Sequence, residues 1–68
     1  MNYAETEIVA DAGVRLRIIA DGLIAAADVM GLQDDQPAST AFRGFARHVD
    51  EVRVRLCALP IEAEGEAA

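Results

Sequence analysis

The chain has no lysine and no tryptophan, one cysteine, one histidine and few aromatic residues. Because Cys57 is alone, it cannot form an internal disulfide. His48 has no second histidine or cysteine at the spacing of a metal site, which needs three or four ligands. No apolar run approaches the length of a membrane span, and no signal peptide precedes the first predicted helix. We therefore expect a soluble protein of the bacterial cytoplasm that holds no metal ion and no cofactor.

Motifs that carry chemistry are missing as well. The five glycines form neither a P-loop nor a dinucleotide-binding pattern. A nucleophilic Cys57 would need a base and a third group to orient that base, and the sequence offers no residues for these roles. Cys57 is interpreted as a small buried side chain, and the chain is predicted not to be an enzyme.

The chain is rich in alanine, arginine and acidic residues. Hydrophobic residues make up 53% of the sequence, all six cations are arginine, and the formal net charge is −6. Residues 1–36 carry seven acids and two arginines, whereas residues 37–59 carry four arginines and two acids. The second half is thus the basic part of an acidic protein. Alanine and arginine enrichment without lysine is typical of a GC-rich bacterial or phage genome.

Apolar residues recur at helical spacing in both halves of the chain. In the second half the steps alternate between four and three residues without a break, which is the pattern of a helix that lies against other helices. This stripe consists of Ala38, Phe42, Phe45, Val49, Val52, Leu56 and Leu59. The stripe of the first half consists of Ile8, Ala12, Leu16, Ile19, Leu23, Ala26 and Met30. The two stripes predict an all-α fold, a two-helix antiparallel hairpin.

Capping residues set the expected bounds of the two helices. Asn2, with Glu5 three residues later, fits the start of helix 1, which is predicted to cover about residues 4–30. Gly31 fits a left-handed C-terminal cap at the start of a turn over residues 31–36. Asp35 or Gln36 then caps helix 2, which is predicted to cover about residues 37–59.

Proline and glycine add further expectations. Pro60 is predicted to end helix 2, so that the domain covers residues 1–60 and residues 61–68 form a disordered acidic tail. Gly13 and Gly22 lie inside helix 1. They either allow a neighbouring helix to approach closely or mark a kink, and the sequence does not distinguish these two alternatives.

A strand pattern competes with the helical one in two places. Residues 14–18 and 52–56 alternate apolar and basic side chains, which is the period of a half-buried strand. Each segment lies inside a much longer helical pattern with capping residues, and neither is flanked by turn residues on both sides. Helices are therefore favoured over strands.

The predicted core is thin. It consists of Leu16, Ile19, Leu23, Phe42, Phe45, Val49, Val52 and Leu56. Because many of the other stripe residues are alanine, a solitary hairpin buries little apolar area. We expect the hairpin to form a homodimer, as a four-helix bundle, or to dock onto a larger partner.

Two further groups are candidate interface residues. Helix 1 carries a second apolar strip on another side, and a helix that is apolar on two sides is normally covered on both. This strip consists of Val14, Ile18, Ala25 and Val29. Arg43 and Arg47 lie one turn apart on the outer side of helix 2, where they either meet an anionic partner or form ion pairs with nearby acids.

The plan of helix, polar turn, helix and acidic tail over residues 2–60 resembles two groups of small proteins in architecture. One is the family of phage- or mobile-element-encoded helical inhibitors, of the anti-CRISPR, quorum-sensing or pilus-antagonist type. This resemblance implies a non-catalytic protein that binds and inhibits or modulates a larger bacterial protein. The other is the plasmid copy-number regulator family, which implies a dimeric hairpin that binds RNA or DNA. An antitoxin-like accessory subunit is a third alternative.

Overall fold

The computed structural model describes the backbone of residues 1–67 and the side chains of residues 1–62. It consists of two helices, α1 (Tyr3–Leu32) and α2 (Gln36–Ala67), which pack against each other along their length. The predicted all-α hairpin is confirmed. No strand occurs within residues 1–67, and residues 14–18 and 52–56 are helical. In this part of the chain no helix is long and apolar enough to cross a bilayer.

The start of α1 follows the capping pattern. The side-chain oxygen of Asn2 accepts a hydrogen bond from the backbone N–H of Glu5 at 2.8 Å. This bond satisfies one of the N–H groups that have no partner in the first turn of a helix. Asn2 is therefore the N-cap, as predicted, and the helix begins at Tyr3.

The turn between the helices differs from the prediction in the residue that adopts the left-handed conformation. Gly31 lies inside α1, and Asp34 has the positive φ of 63°. The Asp35 N–H bonds the Met30 carbonyl at 2.8 Å and the Asp34 N–H bonds the Gly31 carbonyl at 3.1 Å, which is a Schellman motif. Aspartate tolerates this conformation better than most residues. Gly31 instead lies beside Ser39 of α2.

Helix α2 begins close to its predicted start and extends beyond its predicted end. The Asp35 side chain accepts a hydrogen bond from the N–H of Ala38, which identifies it as the cap. The helix then continues through Pro60 to Ala67, so the predicted end at Leu59 is wrong. The predicted disordered tail of residues 61–68 is replaced by helix up to Ala67. The part of that prediction that concerns Ala68 lies outside the described residues.

Small residues form the seam between the two helices. In α1 the buried positions Gly13, Ala20 and Ala27 recur every seven residues, and in α2 Ser39 and Ala46 have the same spacing. A seven-residue repeat keeps one line of positions facing the partner helix, and small side chains allow the backbones to approach closely. A Cβ added at Gly13 would lie 2.7 Å from the Cys57 sulfur. Gly13 is thus a site of close approach, whereas Gly22 faces open space.

The residues predicted as the core of the hairpin or bundle are only partly buried in the single chain. Leu16, Leu23, Phe42, Val49 and Leu56 are half-buried beside the seam, as their places in the stripes suggest. The other three predicted core residues are more than half exposed. These are Ile19, Phe45 and Val52. The reason is steric, because the small residues take the line of closest contact and the larger ones are moved to its side.

Candidate interaction surfaces

The register of the hairpin fixes which residues lie at the same level. Gly13 lies by Cys57, Asp28 pairs with Arg43, and Gly31 lies by Ser39. The residue numbers of these facing pairs sum to 70 or 71. The helices are antiparallel, and this rule holds from the turn down to the Gly13 level.

One broad side of the hairpin is a charged groove of about 440 Å³ between the helices. Ala20 and Ala46, both buried, lie at its base, and Ile24 lies along one wall. The charged residues that line it are Arg17, Asp21, Arg43, Arg47, Asp50 and Arg53. The groove therefore holds four of the six arginines of an acidic protein.

Ion pairs cross and border this groove. The guanidinium of Arg43 in α2 donates a hydrogen bond to the carboxylate of Asp28 in α1 at 2.5 Å. Within α2, Arg53 donates to Asp50 at 2.9 Å. Because these groups are mostly solvent-exposed, each pair contributes no more than about 1 kcal/mol to stability. Arg43 therefore links the two helices and does not stand on the outer side of α2 as expected. Arg47 lies in the same groove, one turn away.

The opposite broad side of the hairpin is apolar. At about 100° per residue, Arg17 and Ile24 lie on one side of Ala20, and Leu16, Ile19 and Leu23 lie on the other. In α2, Arg43, Arg47 and Asp50 likewise lie on one side of Ala46. The other side holds Phe42, Phe45 and Val49. The groove contains the Arg17 side of α1 and the corresponding side of α2. The Leu16 side of α1 and the corresponding side of α2 therefore form the opposite broad side of the hairpin. We call this surface the apolar face; it consists of the fourteen residues of the two stripes, from Ile8 to Met30 and from Ala38 to Leu59.

From Ala12 to Met30 and from Ala38 to Leu59 the apolar face contains no charged or polar residue, whereas Glu5 continues the line of Ala12, Ile19 and Ala26 toward the start of α1. Its most exposed members are large: Ile8 is 69% exposed, Phe45 58%, Val52 55% and Ile19 51%. The register places Ile19 level with Val52, and Phe45 level with Ala26. Arg15, bonded to Asp11 at 2.8 Å, and His48 lie at the outer borders of this side. Exposed apolar surface of this extent is typical of an interaction site.

The second apolar strip of helix 1 is exposed, as an interface candidate should be. Val14, Ile18, Ala25 and Val29 lie on the side of α1 that points away from α2, and all four are exposed. Asp11 and Asp21 border the strip, as the helical spacing indicates. The hairpin itself therefore leaves α1 with two separate apolar surfaces.

Reactive and metal-binding groups are sparse in the described part of the chain. Among these residues no three or more histidine, cysteine, aspartate or glutamate side chains come close enough to hold a metal ion. Cys57 is a free thiol and is exposed, so the expectation that it fills a buried space is wrong. Its sulfur lies beside Gly13, at the edge of the seam.

Sequence reasoning identified Arg43 and Arg47 but missed the other groove residues. The missed residues are Arg17, Asp21, Asp50 and Arg53, which line the groove, and Asp28, which pairs with Arg43. A periodic signal was present, because positions 17, 21, 24 and 28 fall on one side of a helix, as do 43, 47 and 50. Only the register of the hairpin brings those two sides together.

Comparison with known proteins identifies no relative of this chain. No family model, no curated protein and no solved structure matches this chain. The geometry of the surfaces is therefore the basis for any functional assignment.

Proposed function

We propose that this chain is a non-catalytic interaction protein that binds a larger bacterial protein and inhibits or modulates it. The observation that supports this proposal is the strip of Val14, Ile18, Ala25 and Val29, which is exposed on the side of α1 away from α2. This strip is separate from the apolar face, so covering that face leaves the strip open. A larger partner that contacts the strip buries it.

Charge directs the approach of the partner. The net charge is −6, and seven of the twelve acids lie in residues 1–36, the half that carries the strip. Complementary charge raises association rates and selects among partners more than it raises affinity. The preferred partner surface is therefore basic, of the kind that otherwise binds nucleic acid, and its occupation amounts to competitive inhibition. The proposal places this action in the cytoplasm of a bacterial host cell, where a lone thiol stays reduced.

Affinity capture with a matched pair of variants tests the proposal. Ile18→Glu places a charge in the strip, and Val54→Glu places the same charge on α2; the two side chains are 65% and 54% exposed. We expect a bacterial protein retained by the wild type and by Val54→Glu to bind Ile18→Glu at least about tenfold more weakly, a loss of about 1.4 kcal/mol. Equal retention by both variants would remove the strip as the binding surface.

Salt dependence tests the electrostatic part separately. With the captured partner purified, raising salt from about 0.05 M to about 0.5 M shortens the Debye length and should weaken binding. Binding that does not change over this range contradicts charge-directed recognition and leaves apolar contact through the strip as the source of affinity.

Nucleic-acid binding is the second candidate function, and the charged groove is the observation that favours it. Arg17, Arg43, Arg47 and Arg53 lie in one groove, where guanidinium groups suit phosphate oxygens. Asp21, Asp28 and Asp50 offset much of that charge, and the acidic chain repels phosphate overall. This candidate is therefore the less favoured one.

A gel shift at low salt distinguishes the two functions. Under the favoured proposal, RNA and DNA migrate unchanged at micromolar protein concentrations. Retention of either nucleic acid that is lost in Arg47→Glu, while Arg55→Glu retains it, would establish the groove as a phosphate-binding surface. Arg55 is a fair control because it is an exposed arginine of the same helix that does not line the groove.

A further inference from the structure

We propose that the apolar face is covered by a second copy of this chain, so that two hairpins stack into a four-helix bundle. The proposal concerns a different surface from the strip on α1, and it holds whether or not a larger partner exists. It also assigns the dimer contact to residues that a single hairpin leaves exposed, namely Ile19, Phe45 and Val52.

The shape of the hairpin is that of half a bundle. Its Cα atoms extend over 53 × 17 × 9 Å, so the molecule is a single layer of helices. The outline of the broad side, 53 × 17 Å between Cα atoms, encloses about 900 Å², the same order as the roughly 800 Å² of accessible surface that each partner buries in a standard protein interface. One further layer of the same kind is therefore enough to cover it.

The exposed area indicates the same missing layer. The chain exposes 5100 Å², whereas a compact monomer of 7.2 kDa exposes about 4,100 Å² according to the scaling of surface with mass. The excess is about 1,000 Å², similar to the area of the broad side. A hairpin paired through this side loses that excess.

The pattern of the face fits a copy of itself. Most symmetric dimers use one surface twice, so the surface must be complementary to its own copy. The stripe of α2 repeats every seven residues throughout, and that of α1 does so from Ala12 to Met30, which allows the side chains of a second hairpin to interdigitate over these ranges. Large residues of α2 lie level with small residues of α1 at two levels, Phe45 with Ala26 and Leu59 with Ala12, whereas Ile19 and Val52 at the level between them are both large. The fourteen residues of the face carry no charge, so stacking them on a second copy buries no unpaired charge among them, and Glu5 lies in line with them at the α1 end of the face.

Dimerisation leaves the other surfaces free. The charged groove lies on the opposite broad side, so each copy turns its groove outward. The strip around Ile18 lies on the outer side of α1 and also stays accessible. Two copies therefore present each of these surfaces twice.

Sedimentation of matched glutamate variants of the full chain tests the proposal. Ile19→Glu and Val52→Glu place charges on the apolar face, whereas Ile18→Glu and Val54→Glu place them on other sides of the same helices at similar exposure. The wild type should sediment as a dimer at micromolar concentration. The first two variants should raise the dimer dissociation constant at least about 100-fold, because each places two charges in one buried contact. The other two should change it less than about threefold.

The melting temperature of the wild type provides a second measurement in case a face variant loses its helices on dissociation. It should rise with protein concentration, since a dimer is favoured by mass action. A wild type that sediments as a folded monomer and melts at the same temperature at every concentration would overturn the proposal. Dissociation of Ile18→Glu and Val54→Glu as complete as that of the face variants would overturn it too. A chain that is disordered on its own contradicts it as well.

Discussion

Replacing Ala27 with leucine should lower the free energy of unfolding by about 2–3 kcal/mol, one of the two largest effects expected of a single substitution in this chain. Ala27 is 0% exposed and lies in the seam of small residues. Three added carbon atoms have no space between two closely packed helices. The helices must separate locally, which also weakens contacts at the neighbouring Ala20 and Met30 levels.

Ala25→Leu is the matched control for this experiment. It is the same substitution in the same helix, but Ala25 is exposed. Leucine and alanine have similar helix propensities, so stability should change by less than about 0.5 kcal/mol. Urea unfolding followed by circular dichroism, at one fixed protein concentration, gives both values. If Ala27→Leu unfolds at the same urea concentration as Ala25→Leu, Ala27 does not lie in the seam.

Replacing Pro60 with alanine should stabilise the protein by about 1–3 kcal/mol. Pro60 lies inside α2, where it has no N–H to donate to the carbonyl of Leu56 and its ring crowds that carbonyl. Alanine restores the hydrogen bond and removes the crowding. The variant should melt at a higher temperature and show at least as much helix by circular dichroism.

Pro37→Ala provides the comparison for Pro60→Ala. Pro37 is the second residue of α2, in the first turn, where the missing N–H has no intrahelical partner in any case. Its replacement should leave stability unchanged or slightly lower. If Pro60→Ala and Pro37→Ala change stability to the same extent, a backbone N–H at position 60 adds no helical hydrogen bond. In that case α2 ends before residue 60 in solution.

The hairpin was predictable because local signals agree with one another. Periodicity gives two helices, and Asn2 and Asp35 cap them as the sequence suggests. The bounds were less predictable where a residue overrides its usual preference. Pro60 stays within a helix, and Asp34 adopts the positive φ that the sequence predicts for Gly31.

The seam was not predictable from hydrophobicity alone. In α2 the positions Phe42, Val49 and Leu56 are flanked by two lines of residues, one containing Ala46 and the other containing Phe45 and Val52. A hydrophobicity criterion selects the line with the larger apolar side chains, whereas close packing of two helices selects the line with the smaller ones. The stripes therefore select the line beside the seam, and Phe45 and Val52 on that line are more than half exposed in the single chain.

The candidate surfaces were predictable to different extents. The strip of Val14, Ile18, Ala25 and Val29 lies on one helix, so helical periodicity alone places it, and all four residues are exposed. The charged groove needs residues from both helices, and which residues meet depends on the register set by the turn and by the Gly13 contact. Local spacing contains no information about that register.

The single-layer shape of the hairpin, 9 Å deep between Cα atoms, has a consequence for how this molecule exists in a cell. A chain that is only one helix deep leaves most of its apolar side chains exposed to solvent until another molecule binds. When the covering molecule is a second copy of the chain, dilution promotes unfolding. The number of copies per cell then helps to set the temperature at which the protein unfolds.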